Sequence, residues 1–388
     1  MLILLKISLG CDTLLRFNKN SKFKIMQITD VLENPKLSLD TVKLIDEALI
    51  FEKPDLVIFT GNQINGNSLK YKNHPERVNE AIDSLVNPLV KRNIPFMVTY
   101  GNLDSKSSMT NKEQFEIYKR YNNFIEGNLK DDNDVGTCDI QIKSSKNDSD
   151  AFNLYLFDSH GKEPKSKGFV PVYEEQLDWY EKRRDELKLK NSTYVPSLVF
   201  QNIPVPEIYD AVCFVENKRS KAVPIYGGVH DGEFVKLKDK TISKGGFMGQ
   251  FPTPPDINSG EFKRLSEKGD VLGIYFGQDH VNSFVEKVGN VDLGYTQGCG
   301  FNSYGCAENK GVRIFVLDEN DPGNYETYTR TFKDLVGTEV QNKFKNFVYS
   351  YFPTSKMQIA AGLLKLAIAV GIVLIAYFGY EFLTGFNL

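Results

Sequence analysis

Five short blocks concentrate the side chains that could do chemistry: Ile28-Thr29-Asp30-Val31-Leu32, Phe59-Thr60-Gly61-Asn62, Tyr100-Gly101-Asn102-Leu103-Asp104, Phe200-Gln201-Asn202-Ile203-Pro204 and Phe276-Gly277-Gln278-Asp279-His280. Between them they carry carboxylates, amides and an imidazole, the donor types that hold divalent cations or build buried hydrogen-bond networks. Other chemistry is poorly provided for. His74, His160 and His230 have no partner at metal-ligand spacing, and Ser159-His160 lacks the acid and the elbow motif of a serine hydrolase. The Gly-rich stretch 298–305 lacks the Lys-Ser/Thr ending of a phosphate loop and reads as tight turns.

Short β-branched and aromatic runs alternate with longer helical patterns: 23–29, 56–59 and 96–100 read as strands, 39–51 and 75–92 as helices. This rhythm predicts parallel strands joined by crossover helices. It puts Asp30, Asn62 and Asn102 immediately after successive strands, where carboxyl-end loops converge on one crevice. The second half carries strands at 154–157, 197–200 and 273–276 and a charged helix at 174–189, then turns to β at 282–288, 312–317 and 325–332. Between 204 and 260, Gly227-Gly228, Gly245-Gly246 and Pro254-Pro255 mark long surface insertions.

The order, spacing and flanks of the five blocks resemble the calcineurin-like metallophosphoesterase superfamily, and within it the purple-acid-phosphatase-like branch. Leu15-Arg16-Phe17, Phe23-Lys24-Ile25, Gly168-Phe169, Gln176-Leu177-Asp178-Trp179, Ile203-Pro204-Val205-Pro206-Glu207 and Gly298-Cys299-Gly300-Phe301 extend the likeness over about 14–332. It implies an α/β fold: a β-sandwich of two mixed sheets flanked by helices, occupying 23–332 after an N-terminal segment at 1–22, with the site at one rim. It also implies that most metal ligands have been exchanged. Asp30 stands where active members carry the Asp of Asp-x-His, but Leu32 takes the His place. Asn62 replaces the bridging Asp of the second block. Asn102 and Asp104 remain in the third, with Leu103 where a His would aid the leaving group. Gln201 takes the place of the fourth-block His, and in the fifth block Gln278 replaces the first imidazole while His280 retains the second.

Electrostatics decides what those exchanges mean. Two divalent ions about 3.5 to 4 Å apart repel by on the order of 20 kcal/mol at an effective dielectric near 20, which a bridging carboxylate and hydroxide normally offset. Asn62 is neutral, glutamine amides are poor transition-metal ligands, and leucines donate nothing. The expectation is no cofactor, or at most one divalent metal held weakly by Asp30, Asn102 and His280. No catalytic residue is expected, because the metal-bound hydroxide and the leaving-group imidazole are both missing. Asn62, Gln201 and Gln278 are expected to fill the cavity as an amide network, and Asp104 and Asp279 to cap turns or pair with cations. The functional expectation is a catalytically inactive, membrane-anchored protein with protein partners, serving as an accessory subunit. The alternative is a residual metal-dependent phosphoesterase acting on a phosphomonoester or diester.

With 388 residues, 41% hydrophobic, 25% charged and a net charge of −3, the chain has globular composition and no basic stripe for a nucleic acid. Its five cysteines form no Cys-x-x-Cys pair and read as reduced thiols. The segment 357–380 is apolar apart from Gln358 and Lys365, and as a helix it would run roughly 35 Å. A transmembrane helix at 357–384 after a connector at 333–356 is therefore predicted. Lys343, Lys345 and Lys356 precede the apolar run 357–380 and Glu381 follows it, which predicts a folded domain on the cytosolic or matrix-like side of a membrane, the mitochondrial inner membrane included.

Overall fold

Period-two alternation of apolar residues sets the layers. In β1 (Lys22–Ile28), Phe23 and Ile25 enter one buried cluster while Met26 and Ile28 enter another. In β2 (Leu56–Thr60), Leu56 and Ile58 join the first, Val57 and Phe59 the second. A strand that is apolar on both faces must be covered on both. The computed structural model describes residues 15–161, 168–216, 222–238, 246–351, 363, 367–368 and 370–377, and it shows what covers them.

One sheet has the order β16 (Tyr325–Thr331), β15 (Gly311–Asp318), β1, β2, β3 (Phe96–Thr99). The other runs β11 (Gly246–Met248), β13 (Asn282–Val288), β14 (Val291–Tyr295), β12 (Val271–Phe276), β7 (Ser197–Phe200), β6 (Asp150–Leu156), β5 (Asp134–Lys143), β4 (Asn128–Asp131). Both are mixed: β1–β2–β3 and β6–β7–β12–β14 pair in parallel, and their flanking strands pair antiparallel. The facing surfaces share one cluster, in which the Phe315 ring meets Phe200 and Tyr275 edge-on at centroid distances of 5.2 and 4.5 Å.

Helices α1 (Leu39–Glu52), α2 (Pro75–Arg92) and α3 (Asn111–Tyr118) cover the outer face of the first sheet. The second is covered by α4 (Glu174–Asn191), α5 (Glu261–Ser266) and a small sheet of β8 (Val212–Val215), β10 (Phe234–Leu237) and β9 (Val223–Pro224). The expected sandwich of two mixed sheets flanked by helices is thus present. The 204–260 stretch, read from sequence as insertions, builds a short 3-10 helix (Pro206–Ala211), the small sheet and β11.

Phe332, expected to end a strand, instead begins α6 (Phe332–Leu335). Thr331 stops the strand by a capping box: its Oγ1 accepts from Asp334 N at 3.2 Å, and the Asp334 carboxylate accepts from Thr331 N at 2.9 Å. Beyond it, α7 (Lys343–Tyr351) docks on the 298–307 region, with Gly305 N donating to Tyr349 O at 2.9 Å and Ala307 N to Asn346 Oδ1 at 3.2 Å. Cys138, Cys213, Cys299 and Cys306 are free thiols.

The membrane expectation requires correction. Among the described residues no helix is long and apolar enough to cross a membrane. Most of 357–384 lies outside the described residues. The single-pass location at 357–384, and the cytosolic or matrix-like sidedness built on it, fall together.

Phe315→Ala should test the sheet-to-sheet packing. Emptying this fully buried position is expected to cost about 3–5 kcal/mol in chemical denaturation, and a loss below about 1 kcal/mol would show that the two sheets do not meet there.

Candidate functional site

Every block sits just beyond the carboxyl end of a parallel strand: Asp30 after β1, Asn62 after β2, Asn102 to Asp104 after β3, Gln201 and Asn202 after β7, Gln278 to His280 after β12. The chain turns sharply there. Asp30, Leu32, Asn62 and Gln278 have φ of 47°, 49°, 51° and 55°, left-handed values that cost non-glycine residues of order 1–3 kcal/mol each. Gly277 shows how closely the loops approach, since a Cβ there would lie 1.9 Å from Thr29 Oγ1 and 2.4 Å from Asp30 Oδ2.

Asp30 is the centre of the arrangement and is fully buried. Its Oδ1 accepts from Asn62 Nδ2 at 2.9 Å and Asn202 Nδ2 at 3.5 Å, its Oδ2 accepts from Thr29 Oγ1 at 2.9 Å, and His280 Nε2 stands 3.4 Å from Oδ1. Asn62 Oδ1 accepts from Leu103 N at 2.9 Å, which fixes the orientation of its amide, so the NH2 end must face Asp30. The same NH2 donates to Asn202 Oδ1 at 3.0 Å, and Asn202 Nδ2 donates to Thr60 O at 2.9 Å. His280 stacks on Tyr304 at 4.7 Å between ring centroids.

The other expected residues divide. Asp104 caps the third block, its carboxylate accepting from Asn62 N (2.7 Å), Gly101 N (2.8 Å) and Ile64 N (3.3 Å). Burial nevertheless pushes its pKa up to about 7. Asp279 ties down the 250–253 loop through Gln250 Nε2, Thr253 N and Oγ1, and it accepts from Tyr295 OH at 2.6 Å. Gln201 does not join the amide network. Its Nε2 donates to Ile203 O at 2.7 Å, and it neighbours Glu261, whose carboxyl burial pushes up to about 8. Gln278 is half-buried and outside the network, while Leu32 and Leu103 bring only hydrocarbon.

Asn202 is the residue that sequence reasoning missed. The signal was the pleat: Phe200 faces the inter-sheet cluster, so Asn202, two residues on, falls on that side and Gln201 on the other.

This donor set does not fit a two-metal centre. The crevice offers one carboxylate, Asp30, already engaged by amide and hydroxyl donors, and Asn62 presents hydrogens where a bridging ligand must present lone pairs. Among the described residues no group of three His, Cys, Asp or Glu side chains is arranged to hold a metal ion. Asn102 Oδ1 is buried without a hydrogen-bond partner and is a ligand-type oxygen left over at the third block.

A family model described as Calcineurin-like phosphoesterase matches residues 23–293. A relative from Arabidopsis thaliana named "Probable inactive purple acid phosphatase 14" is 28% identical over 329 residues, covering 75% of this chain and 74% of that one. Another from the same plant, "Probable inactive purple acid phosphatase 29", is 26% identical over 341 residues and covers 79% of each. "Phosphatase DCR2" of Saccharomyces cerevisiae is 29% identical over 290 residues, 68% of this chain and 45% of its own.

The buried carboxyls have a measurable consequence. Asp104 at about 7, Asp279 and Asp270 at about 6 and Glu261 at about 8 all lie above their ordinary values of 3.8 or 4.5, chiefly through burial. Across the interval from about 4 to about 8 the folded chain therefore holds protons that the unfolded chain has released, so rising pH favours unfolding. Thermal unfolding is expected to show a higher midpoint near pH 5.5 than near pH 8; the reverse order would mean these carboxyls are ionised in the native state.

Proposed function

The chain belongs to the calcineurin-like phosphoesterase family, and we propose that it uses the family's fold as a catalytically silent interaction module, an accessory subunit of a larger protein assembly. The observation that carries this reading is the Asn62 Nδ2–Asp30 hydrogen bond of 2.9 Å. An amide NH2 held against the crevice's carboxylate occupies the position from which a bridging carboxylate would neutralise two cations. With Leu103 where an acid would stand, that position offers no proton to a departing oxygen. The names of the two plant relatives support the same reading.

A second reading, a residual phosphoesterase with one metal, is favoured by the 3.4 Å approach of His280 Nε2 to Asp30 and by the buried, unpartnered Oδ1 of Asn102. It would act on a phosphomonoester or diester.

Elemental analysis and hydrolysis of an aryl phosphate separate the two. The purified chain is expected to carry well under one metal ion per molecule and to hydrolyse the ester at the background rate with manganese, iron, zinc or magnesium. Metal-dependent turnover that disappears in Asp30→Ala and His280→Ala would overturn the silent module in favour of the one-metal enzyme. The accessory role itself expects the chain to elute from native extracts at a mass well above its own 44.0 kDa.

A further inference from the structure

A cavity of about 350 Å³ opens where the N-terminus of α1, the 298–305 loop and α7 meet, and Lys36, Lys70, Lys310 and Lys345 all line it. Lys36 and Lys70 are exposed at its rim, Lys345 is half-buried, and Lys310 is only 5% exposed. Burying an ammonium is costly unless something compensates it. Here the compensation is neutral: Lys310 Nζ donates to Ser303 Oγ at 3.2 Å and Tyr304 O at 3.1 Å, and Lys345 Nζ donates to Asn302 Oδ1. None of the four lysines is within ion-pair distance of a carboxylate among the described residues.

Two acids are near enough to matter, and both are engaged by hydrogen-bond donors. Asp40 accepts from Gln341 N at 3.1 and 3.3 Å. Glu33 accepts from Thr41 Oγ1, Asn302 Nδ2 and Ser38 N, and burial raises its pKa, which opposes its charge. Burial is the largest influence on both inner lysines and brings Lys310 down to about 8; Glu33 draws each the other way, ahead of the repulsion that Lys345 exerts on Lys310 and Lys70 on Lys345. Four lysines against two acids, Asp40 in the lining and Glu33 behind it, leave an excess of positive charge around an open volume, the arrangement that an anion relieves.

We propose that this cavity binds a small soluble polyanion carrying two linked phosphate groups, at a site separate from the crevice around Asp30. Lysines bind phosphate as point charges, and charge-assisted hydrogen bonds are about twice as strong as neutral ones. Two ammonium groups toward the interior and two at the rim suit two linked phosphates better than one. The volume lies at the small end of ligand sites, which run from about 300 to 1,000 Å³. The 298–305 loop forms part of both places: Asn302 and Gly305 line the cavity, whereas Tyr304 stacks on His280 in the crevice. The inference does not depend on whether the crevice is silent.

Calorimetric titration of the full chain with pyrophosphate tests it. Saturable binding of one pyrophosphate per chain is expected, with inorganic phosphate weaker. Lys36→Gln combined with Lys70→Gln, both at exposed positions, should weaken binding on the order of tenfold or more, and so should Lys345→Gln. Lys182→Gln on exposed α4 surface and Asn102→Ala in the crevice should leave it unchanged, with circular dichroism showing that all variants fold. Absence of saturable binding, equal affinity for phosphate and pyrophosphate, wild-type binding by the lysine variants, or loss in Asn102→Ala would each overturn the proposal.

Discussion

The structure depends on how one buried charge is satisfied. Asp30 lies at the carboxyl end of β1 with no solvent exposure, and a carboxylate so placed must find either cations or a full shell of donors. It has found donors: Thr29 Oγ1 on one oxygen and the Asn62 and Asn202 amides on the other, with His280 alongside. These donors come from four strand ends in two sheets, so satisfying one side chain fixes the relative position of both halves of the sandwich rim.

The same polar seam continues into the interior. Thr60 O accepts from Thr29 Oγ1 and Asn202 Nδ2, and Thr60 Oγ1 accepts from Gln27 Nε2 at 2.9 Å. Gln27 Oε1 in turn accepts from Thr296 Oγ1 at 2.6 Å, and Thr296 Oγ1 accepts from Arg313 Nε at 3.2 Å. Arg313 is itself buried, and its acceptors among the described residues are neutral: Tyr295 O, Ser283 Oγ and Thr327 Oγ1 besides Thr296. A buried anion and a buried cation therefore sit at opposite ends of a chain of dipoles spanning the space between the sheets. Such a chain lowers the cost of both charges while the apolar cluster around Phe315 supplies the packing.

Much of this was legible in the sequence, for a physical reason. Strands apolar on both faces and helices at 3.6-residue spacing declare a covered parallel sheet, and strand ends then converge by geometry, which brings Asp30, Asn62 and His280 together. Legibility failed where orientation or long-range assembly decides. Gln201 matched a ligand position by alignment of blocks, yet the pleat turns it toward Ile203 and puts Asn202 in the crevice. Asp279, expected to cap a turn or pair with a cation, is a tether for the 250–253 loop. The apolar run at 357–380 satisfied a length rule that no described helix satisfies. The lysine cavity left no local trace, because positions 36, 70, 310 and 345 are neighbours only after α1 and α7 have docked on the 298–305 loop.

The exchange of Asp for Asn at position 62 also explains why Asp30 and the strained loops can persist without metal chemistry. With Leu103 N holding the Asn62 oxygen, the two amide hydrogens need two acceptors, and they are Asp30 Oδ1 and Asn202 Oδ1. An asparagine at position 30 would offer the same donors one oxygen fewer and two hydrogens more, in a pocket already supplied with hydrogens from Thr29, Asn202 and Asn62. Leaving such groups unsatisfied costs about 1–3 kcal/mol each, comparable to the backbone strain at Asp30 and Asn62 that the hydrogen bonds hold in place. Asp30 has thereby become a structural residue: the amides that make it unfit to bridge cations are the same groups that require its negative charge.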